Sequence, residues 1–358
     1  MALKRRKTKC IYVGAVGIGC DNPISVQSMT NTDTRDVSAT VRQVLKLEEA
    51  GCEIVRVAVP DMAAARAIKK IKTKIGVPLI ADIHFDYRLA LESMEGGADC
   101  LRINPGNIGA RWKVHEVVRS ALQKNISIRI GVNAGSLDQA LITRHNGPTP
   151  AAMVESALSM IRELEEMNFF EIKISLKASD ILRTVEAYDL LSEKVEYPFH
   201  IGISEAGTEF PGTVKSSVGL GLLLARGLGD TMRVSLTGDP VREVAVAYEI
   251  LKALNIRRET PEIISCPTCG RCEIDLEKLA GDVTKLTRNM KSGMKIAVMG
   301  CVVNGPGEAQ EADLGIAGGK GVGLLFKDGK ILKKVREEEL LRALEEELKR
   351  RNKKGRER

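Results

Sequence analysis

The sequence predicts an α/β fold in two parts: a TIM-type (β/α)8 barrel, followed by a smaller α+β domain. Three observations predict it. Short β-branched runs alternate with longer amphipathic segments up to about Leu254, giving eight strand–helix units. Glycine or proline marks many of the junctions, as at Gly51, Gly76-Val77-Pro78, Gly96-Gly97 and Tyr197-Pro198. Beyond Leu254 the rhythm stops and a cysteine cluster, a hairpin signal and one long helix follow. Eight repeats over a span near the ~250 residues of a closed barrel favour closure over an open doubly wound sheet.

In chain order, strands are expected at Ser25–Ser28, Ile54–Val57, Leu79–Ala81, Cys100–Ile103, Ser127–Val132, Glu171–Ser175, Phe199–Ser204 and Met232–Leu236. Helical patterns lie between them, among them Val37–Ala50, Met62–Thr73, Arg88–Glu95, Ala151–Met167 and Ile181–Val195, and the series ends with Val241–Leu254. The second part gives a strand at Lys295–Met299. Asp328-Gly329, set between the apolar runs of LLFKDGKILKKV, is a hairpin signal. A final helix over Arg336–Arg350 places Leu340, Leu341, Leu344 and Leu348 on one stripe. The domains are therefore expected at 1–256 and 257–358.

Charge and composition exclude several roles. The net charge is +7, but Lys4, Arg5, Arg6, Lys7 and Lys9 carry five positive charges and the stretch from Lys349 to Arg358 a net six. Without these tails the body stands at −4, so the basicity is expected in solvated ends rather than a nucleic-acid groove. Six Phe, five Tyr and one Trp leave little to stack on bases. No apolar run approaches the ~20 residues that cross a bilayer, and glycines and a polar turn interrupt the stretch behind the basic start. A cytoplasmic protein with no membrane segment is expected.

Parallel barrel strands should read as nearly continuous apolar runs, and several here do not. Arg56 interrupts IVRVAV, Arg102 LRIN, Arg129 IRIGVN, Lys173 IKIS and Arg233 MRVS. Residues two apart share a face, which sets Arg102 with Asn104, Arg129 with Asn133, Lys173 with Ser175 and Arg233 with Ser235. Barrel active sites lie at the carboxyl ends of the strands. Internal salt bridges to Asp82 or Glu205 would account for a single cation, but a set on different strands points to a multiply charged anion, plausibly a diphosphate, held by paired hydrogen bonds. Glu205 and His200, in HIGISEAG, are candidates for proton transfer at the mouth. His84, His115 and His145 read as structural or surface residues. The glycines of GAVGIG satisfy no dinucleotide fingerprint.

Of eight cysteines, Cys10, Cys20, Cys52 and Cys100 sit among apolar neighbours and read as buried thiols, whereas Cys266, Cys269, Cys272 and Cys301 cluster late in the chain. A reducing compartment favours metal over disulfide for that cluster. Spacing leaves open a zinc site, an iron–sulfur cluster on four cysteines or on three with a replaceable fourth ligand, and metal-free thiol chemistry.

The motifs PISVQSMTNTDT (23–34), LRINPGN (101–107), RIGVNAGSL (129–137), GISEAGT (202–208), GLGDTMRVSLTGDP (227–240), SCPTCGR (265–271) and GCVVNGPGEA (300–309) resemble the 4-hydroxy-3-methylbut-2-enyl diphosphate synthase family, in its two-domain bacterial form. The resemblance runs from about Lys9 to Lys334. It implies reductive ring opening and dehydroxylation of 2-C-methyl-D-erythritol 2,4-cyclodiphosphate, with single electrons from flavodoxin or ferredoxin passing through a 4Fe-4S cluster. It further implies Cys266, Cys269, Cys301 and Glu308 as cluster ligands, with Cys272 a spectator. Arg56, Arg102, Arg129 and Lys173 would hold the diphosphate, Asn133 and Ser235 lie nearby as polar contacts, and Glu205 supplies a carboxyl that hydrogen-bonds or protonates substrate. HIGISEAG departs conservatively from the family's commoner HxGVTEAG.

A homodimer is also expected. The eighth helix of a barrel runs from its top to its bottom, and eleven linker residues reach at most ~36–40 Å. A partner's cluster domain capping the mouth is easier than an internal return, and the family is described as assembling that way. The alternatives are a pterin-binding-type barrel, which gives the cysteines no role, and a zinc-stabilised scaffold or electron carrier.

Overall fold

The computed structural model of the chain describes residues 3–288, 290–302, 307 and 310–356, with the backbone alone at 105–106 and 352–356. It divides into two compact units, Met1–Leu254 and Asn255–Arg358.

The first unit opens with a hairpin, β1 (Ile11–Val13) and β2 (Val16–Ile18). Eight barrel strands follow: β3 (Ser25–Met29), β4 (Ile54–Ala58), β5 (Leu79–Asp82), β6 (Cys100–Ile103), β7 (Ser127–Asn133), β8 (Ile172–Lys177), β9 (His200–Ile201) and β10 (Thr231–Met232). They pair in the order β8-β7-β6-β5-β4-β3-β10-β9, and a parallel bridge from Ile174 to Phe199 brings β8 to β9 and closes the barrel. Strand signals in the sequence mark the right places. However, β9 and β10 are short, and Ser204, Glu205 and Ser235 stand in unpaired backbone between them and a further parallel bridge from Thr208 to Thr237. Aspartates or threonines start most of the outer helices: Asp36, Asp61, Asp180 and Thr149 each accept a hydrogen bond from a backbone N–H two or three residues inside the helix.

Two expectations for the amino-terminal region are corrected. The basic start is not a solvated tail. Arg5 pairs with Asp230 at 2.9 Å, and Arg6 stacks 4.0 Å over the Phe199 ring and donates to the Val195 and Tyr197 carbonyls. Lys9 lies 4.5 Å over Tyr197. Gly227, at φ +74°, lets this segment pass, because a Cβ there would strike the Lys4 carbonyl at 2.3 Å. Cys10 and Cys20 are not buried thiols either. They flank the hairpin at the surface and form a disulfide with Cα atoms 5.3 Å apart, because the hairpin brings its own two ends together. Cys52 and Cys100 are buried as expected. The hairpin went unread in the sequence, although Ile11, Val13, Val16 and Ile18 alternate around Gly14-Ala15. Its apolar face packs on Ile54, Ile80 and Cys100, at the amino ends of β4 to β6, and plugs the bottom of the barrel.

The second unit is a five-stranded sheet in the order β11 (Glu262–Ser265), β12 (Lys295–Met299), β13 (Leu314–Gly319), β14 (Val322–Lys327), β15 (Lys330–Val335). The first three strands are parallel and the last two antiparallel. The turn at Asp328-Gly329 has φ of 47° and 73°, the left-handed pair that a tight hairpin needs. Helices Leu276–Thr287 and Leu340–Arg356 share a core with Ile296, Val298, Leu314 and Ile316, and Leu340, Leu344 and Leu348 form the buried stripe. Among the described residues no helix is long and apolar enough to cross a membrane.

Asp230 is the clasp of the amino-terminal segment, since its carboxylate accepts from Arg5, from Thr8 Oγ1 at 3.2 Å and from the Phe199 N–H at 2.8 Å. Replacing it by alanine leaves the buried Phe199 N–H without a partner and takes the carboxylate from Arg5, which keeps the Asn22 carbonyl, a loss of about 2–4 kcal/mol. By calorimetry, Asp230→Ala is expected to lower the barrel's unfolding temperature by about 5–10 °C. An unchanged transition would mean that this clasp does not hold the barrel floor.

Candidate functional site

Strand parity decides what the barrel encloses. Ser28 points outward, to Glu243 on helix Pro240–Ala253, so Ser25, Gln27 and Met29 face in. The same alternation carries inward Arg56, Asp82, Arg102, Arg129, Lys173, Ser175, Lys177, His200, Thr231 and Arg233. Most barrels fill this space with branched apolar side chains. This one fills it with cations.

At the carboxyl end these side chains line a cavity of about 670 Å³. Arg56, Asp82, Arg102, Arg129 and Lys177 make the floor, Asn133, Ser175, Ser204 and Arg233 the wall, and the exposed His84 and Glu205, with Ser235 and Arg183, the rim. Of the nine barrel residues the sequence singles out, Arg56, Arg102, Arg129, Asn133, Glu205 and Ser235 meet here. Three do not. Lys173 is wholly buried beneath the cavity beside Cys100. His200 is also wholly buried, with neither ring nitrogen bonded. Asn104 turns to start the short helix Pro105–Ile108. Lys173, expected at the ligand, does not line the cavity; the lysine of this strand that does is Lys177, two pleat repeats further on. The strand extends past the expected end at Ser175, and IKISLK continues the alternation to Lys177. His84 shares parity with Asp82 and could have been found the same way.

Two carboxylates organise the cations. Asp82 accepts from Arg102 at 3.2 Å and lies 3.8 Å from Arg56 and 3.4 Å from His84. Burial raises its pKa, but Arg56, His84 and Arg102 outweigh that and hold the carboxyl well below the usual range. Glu243 takes Arg233 through both oxygens at 3.2 Å, and also accepts from Ser28 and from the Leu236 N–H at 3.0 Å. It thereby fixes the strand end that bears Ser235. The internal-salt-bridge reading thus holds for Arg56, Arg102 and Arg233.

It does not hold for Arg129 or Lys173, nor for Lys177. Among the described residues no carboxylate lies within ion-pair distance of any of the three. Arg129 is 1% exposed, and its Nε and Nη1 make no hydrogen bond. Burial lowers its pKa well below the ordinary value, and Arg56 and Arg102 lower it further. Arg56 is pushed down to about 10 by burial, with Asp82 opposing, and its Nε and Nη2 donate to the Met29 sulfur, a weak acceptor, at 3.0 and 2.9 Å. Glycines make the room: a Cβ at Gly131 would sit 2.6 Å from Arg102 Nε, and one at Gly202 3.1 Å from Lys177 Nζ. Such a floor lacks the negative charge that would make its burial favourable, and a diphosphate supplies it with oxygens that match guanidinium forks. At the rim, Glu205 adopts φ 52°, a left-handed conformation costing about 1–2 kcal/mol for a residue with a side chain. Strain of this kind gathers at functional sites.

In the second unit, Cys266 and Cys301 follow the carboxyl ends of the adjacent parallel strands β11 and β12. Cys266 Sγ accepts from the Gly300 N–H at 3.3 Å. Cys269 is exposed, and a backbone N–H of Arg271 lowers its thiol pKa. Cys272 is diverted: its thiol donates to the Ile274 carbonyl at 3.3 Å and packs on the core. Glu308 lies outside the described residues, and among those described no three His, Cys, Asp or Glu residues close on a metal-sized point. The donor set nonetheless suits iron–sulfur chemistry, with soft sulfurs at neighbouring strand ends and one tied to a backbone N–H.

A closed barrel with a cationic mouth, carried in one chain with a separate thiol-bearing sheet, defines an anion-binding (β/α)8 protein with a second, sulfur-rich unit. The chain belongs to the GcpE family: the GcpE TIM-barrel domain matches residues 8–248 and the GcpE protein C-terminal domain residues 262–350. It is 60% identical over 346 residues to the 4-hydroxy-3-methylbut-2-en-1-yl diphosphate synthase (flavodoxin) of Thermodesulfovibrio yellowstonii, covering 97% of this chain and 99% of that one. To the enzyme of the same name from Geobacter sulfurreducens it is 60% identical over 340 residues, covering 95% and 96%. Among solved structures, the dihydropteroate synthase of Stenotrophomonas maltophilia aligns with 69% of this chain and 97% of its own at a TM-score of 0.52 and 14% identity. That of Yersinia pestis aligns with 69% and 98% at 0.50 and 12%. The latter likeness is one of fold alone.

The unpaired floor makes a prediction in which stability and binding move in opposite directions. Arg129→Met removes a buried unpaired cation and is expected to raise the unfolding temperature by about 2–5 °C. It should also weaken diphosphate binding by about 30–100-fold, the worth of one charge-assisted pair at about 2–3 kcal/mol. Calorimetric unfolding and ligand titration of the same variant check both. A variant that loses stability, or that binds as well as the parent, would contradict this account of the floor.

Proposed function

We infer that the chain forms 4-hydroxy-3-methylbut-2-en-1-yl diphosphate by reductive ring opening and dehydroxylation of 2-C-methyl-D-erythritol 2,4-cyclodiphosphate, with flavodoxin as electron donor. The observation that carries the substrate class is the barrel floor, where among the described residues no carboxylate lies within ion-pair distance of Arg129 or Lys177. Two electrons and one proton convert the cyclic dianion into a linear trianion and water, so the bound anion gains charge as the ring opens. Cations held in place before the reaction stabilise such growing charge without reorganising. Arg56, Arg102, Arg129, Lys177 and Arg233 hold the diphosphate, Asn133 and Ser235 position the carbon skeleton, and Glu205 hydrogen-bonds the departing hydroxyl and passes it the proton. A 4Fe-4S cluster, when bound by Cys266, Cys269 and Cys301, supplies the electrons one at a time; Glu308 completes the set with a carboxylate, the ligand type most easily exchanged on a soft site.

Iron, acid-labile sulfide and zinc in anaerobically purified protein test this reading. About four irons and four sulfides per chain are expected, with turnover of the cyclic diphosphate by reduced flavodoxin. Glu205→Gln should keep the iron and the substrate affinity and lose turnover. Stoichiometric zinc without sulfide removes the electron path and the reading with it, and normal turnover by Glu205→Gln removes that role.

We further propose a homodimer in which the thiol-bearing unit of one chain serves the barrel of the other. Helix Glu209–Ala225 supports a paired assembly: Phe210, Val214 and Val218, four apart on its outer face, are 79%, 48% and 49% exposed. Mixing a barrel-defective variant (Lys177→Met) with a cluster-defective one (Cys266→Ser) should restore activity that neither has alone. Absence of recovery after demonstrated subunit exchange would count against shared sites.

A further inference from the structure

The floor of the cavity contains a base as well as permanent cations. Lys177 ends β8 pointing inward, 9% exposed, with Gly202 against its ammonium end. Charged groups face it from every side. Arg56 comes from β4, Arg102 from β6, Arg129 from β7 and Arg233 from the end of β10, while His200 and Lys173 lie beneath. The nearby carboxylates are committed or remote. Asp82 is shared by Arg56, Arg102 and His84, Glu243 belongs to Arg233, and neither they nor Glu205 at the rim come within ion-pair distance of Lys177. An arginine in such surroundings must keep its proton, whereas a lysine can release it. The histidine below, neutral or cationic by its chemistry, supplies no counter-charge.

We propose that Lys177 stands as a neutral amine in the empty barrel and takes up a proton when the diphosphate binds, so that ligand and proton enter the site together. The inference rests on the diphosphate reading of the cavity and adds a proton to it. Burial is the largest cause of the lysine's lowered pKa, followed by Arg129, Arg56, Arg233 and Arg102. An arriving dianion reverses the electrostatic part of that list. The consequence has a definite sign. Affinity is independent of pH below the free-state pKa, then falls as pH rises through it, by up to about tenfold per pH unit for one proton. It levels off once the bound-state pKa is passed. A neutral amine also lets the empty barrel fold around fewer uncompensated charges than the sequence carries.

Titration calorimetry with P1,P2-dimethyl diphosphate tests the proposal, using the full chain in buffers of low and high ionisation enthalpy. This diester is a dianion whose own ionisations are complete far below neutral pH, so any proton exchanged belongs to the protein. The expected result is uptake of about one proton per ligand, and an affinity that falls with rising pH. In Lys177→Arg, whose charge is permanent, binding should persist with uptake lost and the pH dependence flattened. Binding without proton uptake by the parent protein would overturn the proposal and leave the anion site standing. Uptake that persists in Lys177→Arg would overturn the assignment to Lys177. Failure of the parent to bind the diester would overturn both the proposal and the anion-site reading beneath it. The parent measurement alone decides the main point should the variant fail to fold.

Discussion

Positive charge enclosed in a protein interior must be neutralised, solvated or given up, and the barrel of this chain is arranged around that requirement. Arg56, Arg102, Arg129, Lys177 and Arg233 converge on one cavity, and among the described residues the carboxylates that pair with them are Asp82 on a strand and Glu243 on an outer helix. Burial of an unpaired charge is costly, so the empty site stores unfavourable free energy that an anion releases. The same arrangement explains why glycine stands at positions 131 and 202, where any side chain would occupy the space of a guanidinium or an ammonium group.

The rest of the first unit keeps that floor dry and fixed. The amino-terminal hairpin closes the barrel end opposite the cavity with Ile11, Val13 and Ile18, and Arg5, Arg6 and Asp230 tie the segment before it to the barrel. Asp82 holds two cations against each other, and Glu243, from an outer helix, sets Arg233 and the strand end carrying Ser235 with one carboxylate. At the rim the ladder is interrupted. β9 and β10 are short, and Glu205 takes a left-handed backbone conformation at the cavity edge before Thr208 and Thr237 pair again. Strands carry the cations, and irregular backbone presents the carboxylate, as is usual for barrel sites.

The second unit uses parallel strand ends in the same way. Cys266 and Cys301 leave neighbouring strands side by side, while Cys272, only three residues after Cys269, turns its thiol to a backbone carbonyl and the core. Equal spacing in CPTCGRC therefore does not mean equal availability. The Cys272 sulfur lies against Gly300, whose N–H donates to Cys266 Sγ, so its hydrogen bond to the Ile274 carbonyl rather than distance sets this thiol apart.

Local signals were enough for the barrel class, for the hairpin at Asp328-Gly329, for the leucine stripe of the last helix and for most of the cavity cations. Each depends on a short-range rule: alternation along a strand, a turn that needs left-handed residues, or a polar residue in an otherwise apolar run. The motifs around Cys266 and Cys301 likewise indicate the family by themselves. What the sequence could not determine was decided by contacts between distant segments. Whether Lys173 or Lys177 faces the cavity depends on how far β8 continues and where the mouth lies along it. Whether a basic amino terminus is solvent-exposed or structural depends on Phe199 and Asp230, some two hundred residues away. Whether Arg102 or Arg129 is neutralised depends on which strand lies beside it. Periodicity reports the face a side chain takes, but depth and partnership are properties of the closed barrel, and only closure assigns them.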